Sequence, residues 1–513
     1  MSRRWGIDPS GRAGKKERHP QKPSGVKPLT AAVLMVGLVS GCALTPQALR
    51  EDEVKAQAAN DYINLTKEHE PVTGPISMYQ ALARALKYNL DFRLELMEKA
   101  LALEQLNVSR YDMLPQFVSN LSYNARDKFS GASSRSLITG RQSLESSTSS
   151  DRDVGEVELG LVWNVLDFGV SYYRAKQAAD RVLIAEEQKR KAVNRIAQEV
   201  RTAYWRAVSA ERLQGQLDAL MSRVAQALSD SRQVVRKRLD APMIQLRYQR
   251  ELLAIKRELQ ELQRDLALSK YELATLMNLR PNARYELLVP ERSEVVGEIK
   301  LGHAEMEQMA LEWRPELREL GYEKRINAQE ARAAILDLLP GLELSVTKNY
   351  NSNSFLFHNN WVNLGSRVAW NLLNLIRMPQ KMKELKAQAG VLDTQRLALS
   401  MAVLTQVNVS LAQYGHALNE YQTASEYDAI QQEIIRQVHA GVKVNRVSEQ
   451  VLIREEMNTL VAELRYDIAY SNLENSYAGV YAAVGRDPLP AQVSAEQSVS
   501  ELTEVLKAHW EAL

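Results

Sequence analysis

A chain of 513 residues with only 23 Gly, 16 Pro and 6% aromatics, yet 25% charged residues, is composed for long helices with one apolar stripe rather than for several compact mixed domains. Its net charge of +2 is unevenly spread: residues 1–41 hold eight Lys/Arg and two Asp/Glu, so the remainder is slightly acidic, with 57 basic and 61 acidic residues. That balance gives no support for nucleic-acid binding.

The first predicted element is a leader. Arg3, Arg4, Lys15, Lys16, Lys22 and Lys27 precede an apolar run from Leu29 to Val39, followed by the small residues Ser40 and Gly41 and the single cysteine, Cys42. A basic region, a short apolar run and a small-residue cleavage site make a secretory signal peptide, and the run is too short to serve comfortably as a permanent span. One cysteine allows no intramolecular disulfide. Val39-Ser40-Gly41-Cys42 resembles a bacterial lipobox, which implies a diacylated Cys42 at a new N-terminus after removal of residues 1–41. Ala43, where an Asp would divert such a protein to the inner membrane, fits the outer membrane by the same resemblance. The competing reading is a plain anchor with an incidental cysteine, and the long basic region leaves the translation start open.

Beyond a linker at 42–74 the chain reads as a tandem duplication, 75–281 and 304–488, joined by a connector at 282–303 and closed by a segment at 489–513. Ala85-Leu86-Lys87-Tyr88-Asn89-Leu90-Asp91 matches Ala310-Leu311-Glu312-Trp313-Arg314-Pro315-Glu316. Leu114-Pro115 matches Leu339-Pro340, Trp163-Asn164-Val165-Leu166 matches Trp370-Asn371-Leu372-Leu373, and Leu279-Arg280-Pro281 stands opposite Arg486-Asp487-Pro488. The landmarks keep their order, as a duplication with one longer loop requires.

Each half begins with a helix, at 77–113 and 304–338, stopped by its Leu-Pro pair. A hairpin follows, at 116–166 and 341–371. Phe117, Leu121 and Tyr123 alternate with polar residues, as do Leu342, Leu344 and Val346. The return strands show Val157, Leu159, Leu161 and Trp163, then Val362, Leu364, Val368 and Trp370. Polar loops at 130–152 and 349–360 link them. A long helix is expected from about Ser171 to Arg238, roughly 100 Å at 1.5 Å per residue. Leu213, Leu217, Leu220 and Val224, answered after Pro242 by Leu252, Ile255, Leu259, Leu262 and Leu266, form a heptad seam between antiparallel neighbours. The second half repeats this about a turn between Gly441 and Ser448.

Four strands of about ten residues cannot close a membrane barrel, which needs about eight, and an open sheet in lipid would leave its edges unsatisfied. Either the sheet stands in water, or three chains share twelve strands. Tyr123, Trp163, Trp361 and Trp370 are candidate interfacial anchors, with ordinary sheet packing as the alternative.

Helix, Leu-Pro, hairpin, Trp-led strand end, long helix and return helix, twice over, resemble the TolC outer-membrane efflux family across about 75–488. Trp163 to Gly169 is similar to the family's aromatic-Leu-Phe-Asp-Gly strand end, and Tyr248 to Leu253 to the start of its return helix. The resemblance implies a mainly α fold with a small β part: long antiparallel coiled-coil helices in a trimeric α-barrel, and four strands per chain in a shared 12-stranded β-barrel. It implies a homotrimer in outer-membrane lipid whose partners are a periplasmic adaptor and an inner-membrane pump. Asp240, Ala241, Pro242, Gly441, Ser448 and Glu449 would form the periplasmic tip, where the gate lies and the adaptor docks. Leu502, Val505 and Leu506 would pack an equatorial helix. The second turn departs from the family's Gly, Ser/Thr, Asp pattern in its spacing and in Glu449, and the first lacks the glycine. Solvated turn charges are the alternative for Asp240 and Glu449.

No HExxH, Gly-x-Gly-x-x-Gly, phosphate loop or CxxC is present, and the seven His show no ligand spacing. No enzyme, cofactor or metal is expected. His439, near the tip, is either a pH sensor or a solvated helix-end residue. The expected function is a passive conduit of a tripartite efflux or export system; the exit duct of a type I secretion system and a structural coiled-coil envelope lipoprotein are the alternatives.

Overall fold

The computed structural model describes residues 48–65, 67, 69–143, 145–237, 242–280, 282–290, 299–486 and 497–511. Two compact units emerge, residues 1–65 and 66–513. In the first, helix α1 (Glu51–Asn64) is fully exposed and opens with Glu51, Asp52 and Glu53, which complement its N-terminal dipole.

The second unit holds the duplication. Its first repeat runs α2 (Met78–Tyr88), α3 (Leu90–Tyr111), β1 (Gln116–Ala125), a two-residue hairpin pair β2 (Gly131–Ala132) and β3 (Ser147–Thr148), β4 (Asp153–Asn164), α4 (Val165–Arg236) and α5 (Pro242–Leu276). The second runs α6 (His303–Trp313), α7 (Pro315–Leu336), β5 (Gly341–Asn351), β6 (Asn360–Ala369), α8 (Leu373–Lys443) and α9 (Glu449–Ala483), and α10 (Val499–Glu511) follows.

The single helices expected at 77–113 and 304–338 are each two. Asn89 breaks the first: its backbone is extended, and its side chain accepts from Asp91 N and Phe92 N to cap α3. Arg314 breaks the second at the matching place, because Pro315 disfavours a helical residue before it and starts α7 at its first position. Each break grips the end of its own repeat's return helix. Asn89 Nδ2 donates to Leu276 O at 3.3 Å, and Arg314 Nη1 to Ala482 O at 3.3 Å.

The long helices begin at the strand ends, so α4 starts six residues before the expected Ser171. Asn164 makes this possible by capping Leu166 N and Asp167 N. The long helices have 72 and 71 residues and the return helices 35 each. At 1.5 Å per residue α4 is about 108 Å long.

The seam read from the sequence is buried. Leu213, Leu217 and Val224 of α4 interlock with Leu252, Ile255 and Leu259 of α5, and Ile453 and Leu460 of α9 complete the cluster. A second core forms a collar where α2, α4, the end of α5 and α10 meet, with Leu82, Ile196, Val200, Leu273, Leu502 and Leu506; Val505 is only half-buried. The Tyr204 hydroxyl, buried here, lies 2.7 Å from Leu288 O and 3.2 Å from Ile76 O. Farther up, α4 packs on α7 around the buried Asp180, which bonds Arg325 and, at 2.9 Å, Gln329 Nε2.

All four long strands form one antiparallel sheet in the order β1-β4-β5-β6. The helices joined to them pack in the matching order, α3 on α4, α4 on α7 and α7 on α8.

Candidate membrane sheet and helical tip

Cross-strand register assigns every strand residue to one of two faces. Phe117 stands opposite Leu161, Leu121 opposite Val157, Leu161 opposite Val346, Val346 opposite Leu364 and Leu342 opposite Val368. This face is apolar and uncovered: Leu121 is 82% and Leu364 77% exposed. The other face is polar. Asn120 donates to Glu158 at 3.3 Å, Ser122 and Asn351 donate to Glu156 at 3.2 and 2.8 Å, and Arg367 donates to Glu343 at 2.6 Å. A half-buried sheet in water would put its apolar face against a core, and here no core covers it.

Aromatic residues bound the apolar face at both ends. Tyr123 and Tyr350 lie toward the loops; Trp163 closes the helix end of β4, and Trp370 follows β6, its indole N–H donating to Leu338 O at 2.9 Å. Six residues separate Val157, the partner of Tyr350, from Trp163, about 20 Å along the strand. Outer-membrane barrels carry an apolar band about 25 Å tall between two aromatic girdles. Trp361 does not belong to this set: it pairs with Asn349 and stands on the polar face. At the loop end the two repeats are fastened together. Ser354 N donates to Asp151 at 2.6 Å and Asn353 Nδ2 to Ser149 O at 3.1 Å.

At the opposite end each long helix turns into its return helix through five residues, 237–241 and 444–448. Asp240 and Ala241 lie outside the described residues, as does Cys42. Pro242 is the first residue of α5, where its missing N–H costs nothing. Gly441 lies in the last turn of α8, and Asn445 takes the left-handed conformation at φ 56°. Arg446 N bonds Gly441 O at 2.9 Å and Asn445 N bonds Val442 O at 3.0 Å, a Schellman closure. Glycine is needed at 441 for room, since a Cβ there would sit 2.5 Å from Val447 Cγ2. Ser448 caps α9 by accepting from Val451 N at 3.4 Å, and Glu449 is its first helical residue.

The tip also holds charged residues that bridge the two repeats. Glu251 of α5 receives Arg454 and, at 2.6 Å, Gln450 of α9. Arg223 of α4 pairs with Glu456 of α9, and His439 Nε2 lies 3.9 Å from the same carboxylate. Higher up, Gln216 of α4 and Gln432 of α8 both donate to Glu463, and Arg212 pairs with Asp467. The Tyr248 hydroxyl is pushed above its ordinary range by burial, and then by the charges of Glu449, Glu251 and Asp230. The two coiled coils are tied by side chains about two hundred positions apart.

Among the described residues no group of His, Cys, Asp or Glu could hold a metal ion, and no helix is long and apolar enough to cross a membrane. No family model and no curated protein matches the sequence. Solved structures do match. The Campylobacter jejuni CmeC outer membrane channel aligns over 91% of this chain and 98% of its own, with TM-score 0.63 and 14% identity. The open state of the Neisseria gonorrhoeae MtrE outer membrane channel aligns over 80% and 90%, with TM-score 0.60 and 17% identity. CusC, described for conformational changes accompanying folding and transmembrane channel formation, aligns over 82% and 95%, with TM-score 0.59 and 15% identity. The chain has the TolC-like outer-membrane channel fold. At these identities the likeness is one of fold. Those neighbours combine a helical barrel with a β-barrel, and this chain has the long helices and the small four-stranded sheet of that fold.

Proposed function

We propose that this chain is the outer-membrane component of a tripartite efflux or export system, a passive conduit and not an enzyme. Three copies close into a ring, with twelve strands around one pore. The observation that carries this reading is the sheet: its apolar face is uncovered between aromatic girdles, its polar face bears paired carboxylates and amides, and both edge strands lack partners among the described residues. Strand edge and helix face agree. On the β1 side, α3 exposes Leu94, Met97, Leu101 and Val108 at helical spacing; on the β6 side, α8 exposes Leu397 and Met401. A head-to-tail contact of one side with the other buries both stripes and pairs both edges, and a heterologous contact of this kind closes a ring.

The helical tip is the gate and the adaptor-binding end. Energy comes from the inner-membrane pump with which the adaptor links it. Cys42 carries the lipid that anchors the mature chain in the outer membrane after cleavage at 1–41. The test is the mass of the purified complex in detergent and its conductance in planar bilayers. A trimer forming discrete channels supports the reading; a monomer that leaves bilayers intact rejects it. Loss of acylation in Cys42→Ser tests the anchor separately.

A further inference from the structure

At the collar, α4 of the first repeat, α9 of the second and α10 enclose a void of about 20 Å³. Asn194, Gln198, Arg201, Asn475, Arg486 and Trp510 line it. Arg201 is only 5% exposed, and its Nε and Nη1 have no hydrogen-bond partner. Three further groups at the void lack partners: Trp510 Nε1, Asn194 Oδ1 and Asn475 Oδ1. The Arg201 guanidinium lies 4.2 Å over the Trp510 ring. Buried polar atoms without partners are rare, because each forfeits the hydrogen bonds it made in water. Four residues from three helices directing unmet groups into one void is the pattern of a site with an occupant.

Charge identifies the occupant. A guanidinium offers donors only. Glu474 acts on Arg201 as an opposing charge, but no ion pair joins them; burial holds the Glu474 carboxyl above its ordinary range, and burial lowers Arg201. Arg486 places a second positive charge at the rim. Arg201 Nε and Nη1 and Trp510 Nε1 carry four N–H bonds; a water accepts two of them and leaves the charge uncompensated. A small anion accepts from all three nitrogens, and the Asn194 and Asn475 amides present N–H to it after a half-turn that exchanges oxygen for nitrogen. A void of this size holds one such particle.

We propose that a single halide-sized anion occupies this void, held by Arg201, Trp510 and the two amides, and staples the C-terminal helix to both repeats. The site is independent of the conduit reading. The test uses the full-length protein in detergent. Crystals grown in bromide should show an anomalous peak within hydrogen-bond reach of Arg201 and Trp510. The melting temperature should rise with bromide or chloride concentration, as mass action requires, against sodium gluconate of equal ionic strength, whose anion is too large to enter. Trp510→Phe, which keeps the ring and removes the N–H, should weaken the halide effect, and Arg201→Met should abolish it. An ordered water without anomalous signal, equal melting in halide and gluconate, or an unchanged halide effect in Trp510→Phe would overturn the proposal. If Arg201→Met does not fold, Trp510→Phe and the bromide peak decide.

Discussion

Arg454 of α9 donates to Glu251 of α5, joining the return helices of two repeats 203 positions apart in the chain. Both residues lie within three turns of the helical tip, where Gln450 adds a second bond to the same carboxylate. The pair resists any motion that rotates one coiled coil against the other. It is partly exposed, so its share is at most about 1 kcal/mol, or roughly a five-fold shift in an opening equilibrium. Glu251→Gln or Arg454→Ala should raise open probability in planar bilayers by about that factor. The swap Glu251→Arg with Arg454→Glu should restore closure. Unchanged opening in both single variants would free this pair of any gating role.

Gly485 has φ +81°, and a Cβ on it would meet Trp313 C at 2.8 Å and Arg314 N at 2.9 Å. Both are backbone atoms of the break between α6 and α7, which cannot give way as a side chain tip can. Gly485→Ala should therefore cost about 1–3 kcal/mol from the backbone conformation alone, with the clash in addition. Gly479, inside α9 with nothing within 4 Å of a Cβ, is the control. Gly479→Ala should hold or gain up to about 1 kcal/mol. Thermal unfolding of the two variants checks the contrast.

The two sheet faces should respond oppositely to charge. Leu364→Arg places a cation on the apolar face at mid-strand, opposite Val346. In lipid this should cost about 2–4 kcal/mol. Asn363→Arg, one residue away on the polar face, should cost little. Folding yield into lipid vesicles, read by heat-resistant mobility, separates them; equal yields would mean that the faces are misassigned.

Glu70 fastens the collar. It accepts from Lys87 Nζ at 2.7 Å and from Val499 N at 3.2 Å, so α2 and α10 meet on one carboxylate. Lys87's hydrogen bond chiefly holds the Glu70 carboxyl below its ordinary range, with the Val499 N–H and the Lys87 charge adding to it against burial. A depressed carboxyl stabilises the fold above the unfolded-state range, and that contribution is lost as pH falls through the folded value. The side chain is partly exposed, so Glu70→Gln should cost about 1 kcal/mol or less at neutral pH. The difference from wild type should vanish in acid, as melting curves across pH would show.

The sequence exposed what depends on period and missed what depends on partners. The seam through Leu213, Leu217 and Leu252 was legible because heptad spacing fixes a face whatever lies opposite. The break at Asn89 was hidden because asparagine is tolerable inside a helix, and only its capping of Phe92 N shows that it ends one. Pro315 carried a plainer signal at the same level. Trp361 was placed with the anchors although Val362 and Leu364 already set the parity that puts it on the polar face. The Glu251–Arg454 and Arg223–Glu456 ties were illegible: local spacing marks such residues as surface, and their partners come from the other repeat. The turn between Gly441 and Ser448 was legible, but not that Asn445 takes its left-handed position. Nothing in single-residue preference tells a glycine kept for its conformation from one kept for its small size.

The matched lengths of the long and return helices in the two repeats have a consequence for how this molecule can vary. Return helices of 35 residues begin at Pro242 and Glu449 and end at Leu276 and Ala483, each pair 207 positions apart. The repeats differ in length before that, in the hairpin loops. Long and return helices behave as struts that must reach a common plane. Removing one turn from a single strut would leave its tip about 5.4 Å short and slide Glu251 out of reach of Arg454. Shortening is tolerable only when all four struts lose the same turn together, which preserves every cross-tie. The outer loops carry no such obligation, so single insertions are free to accumulate there.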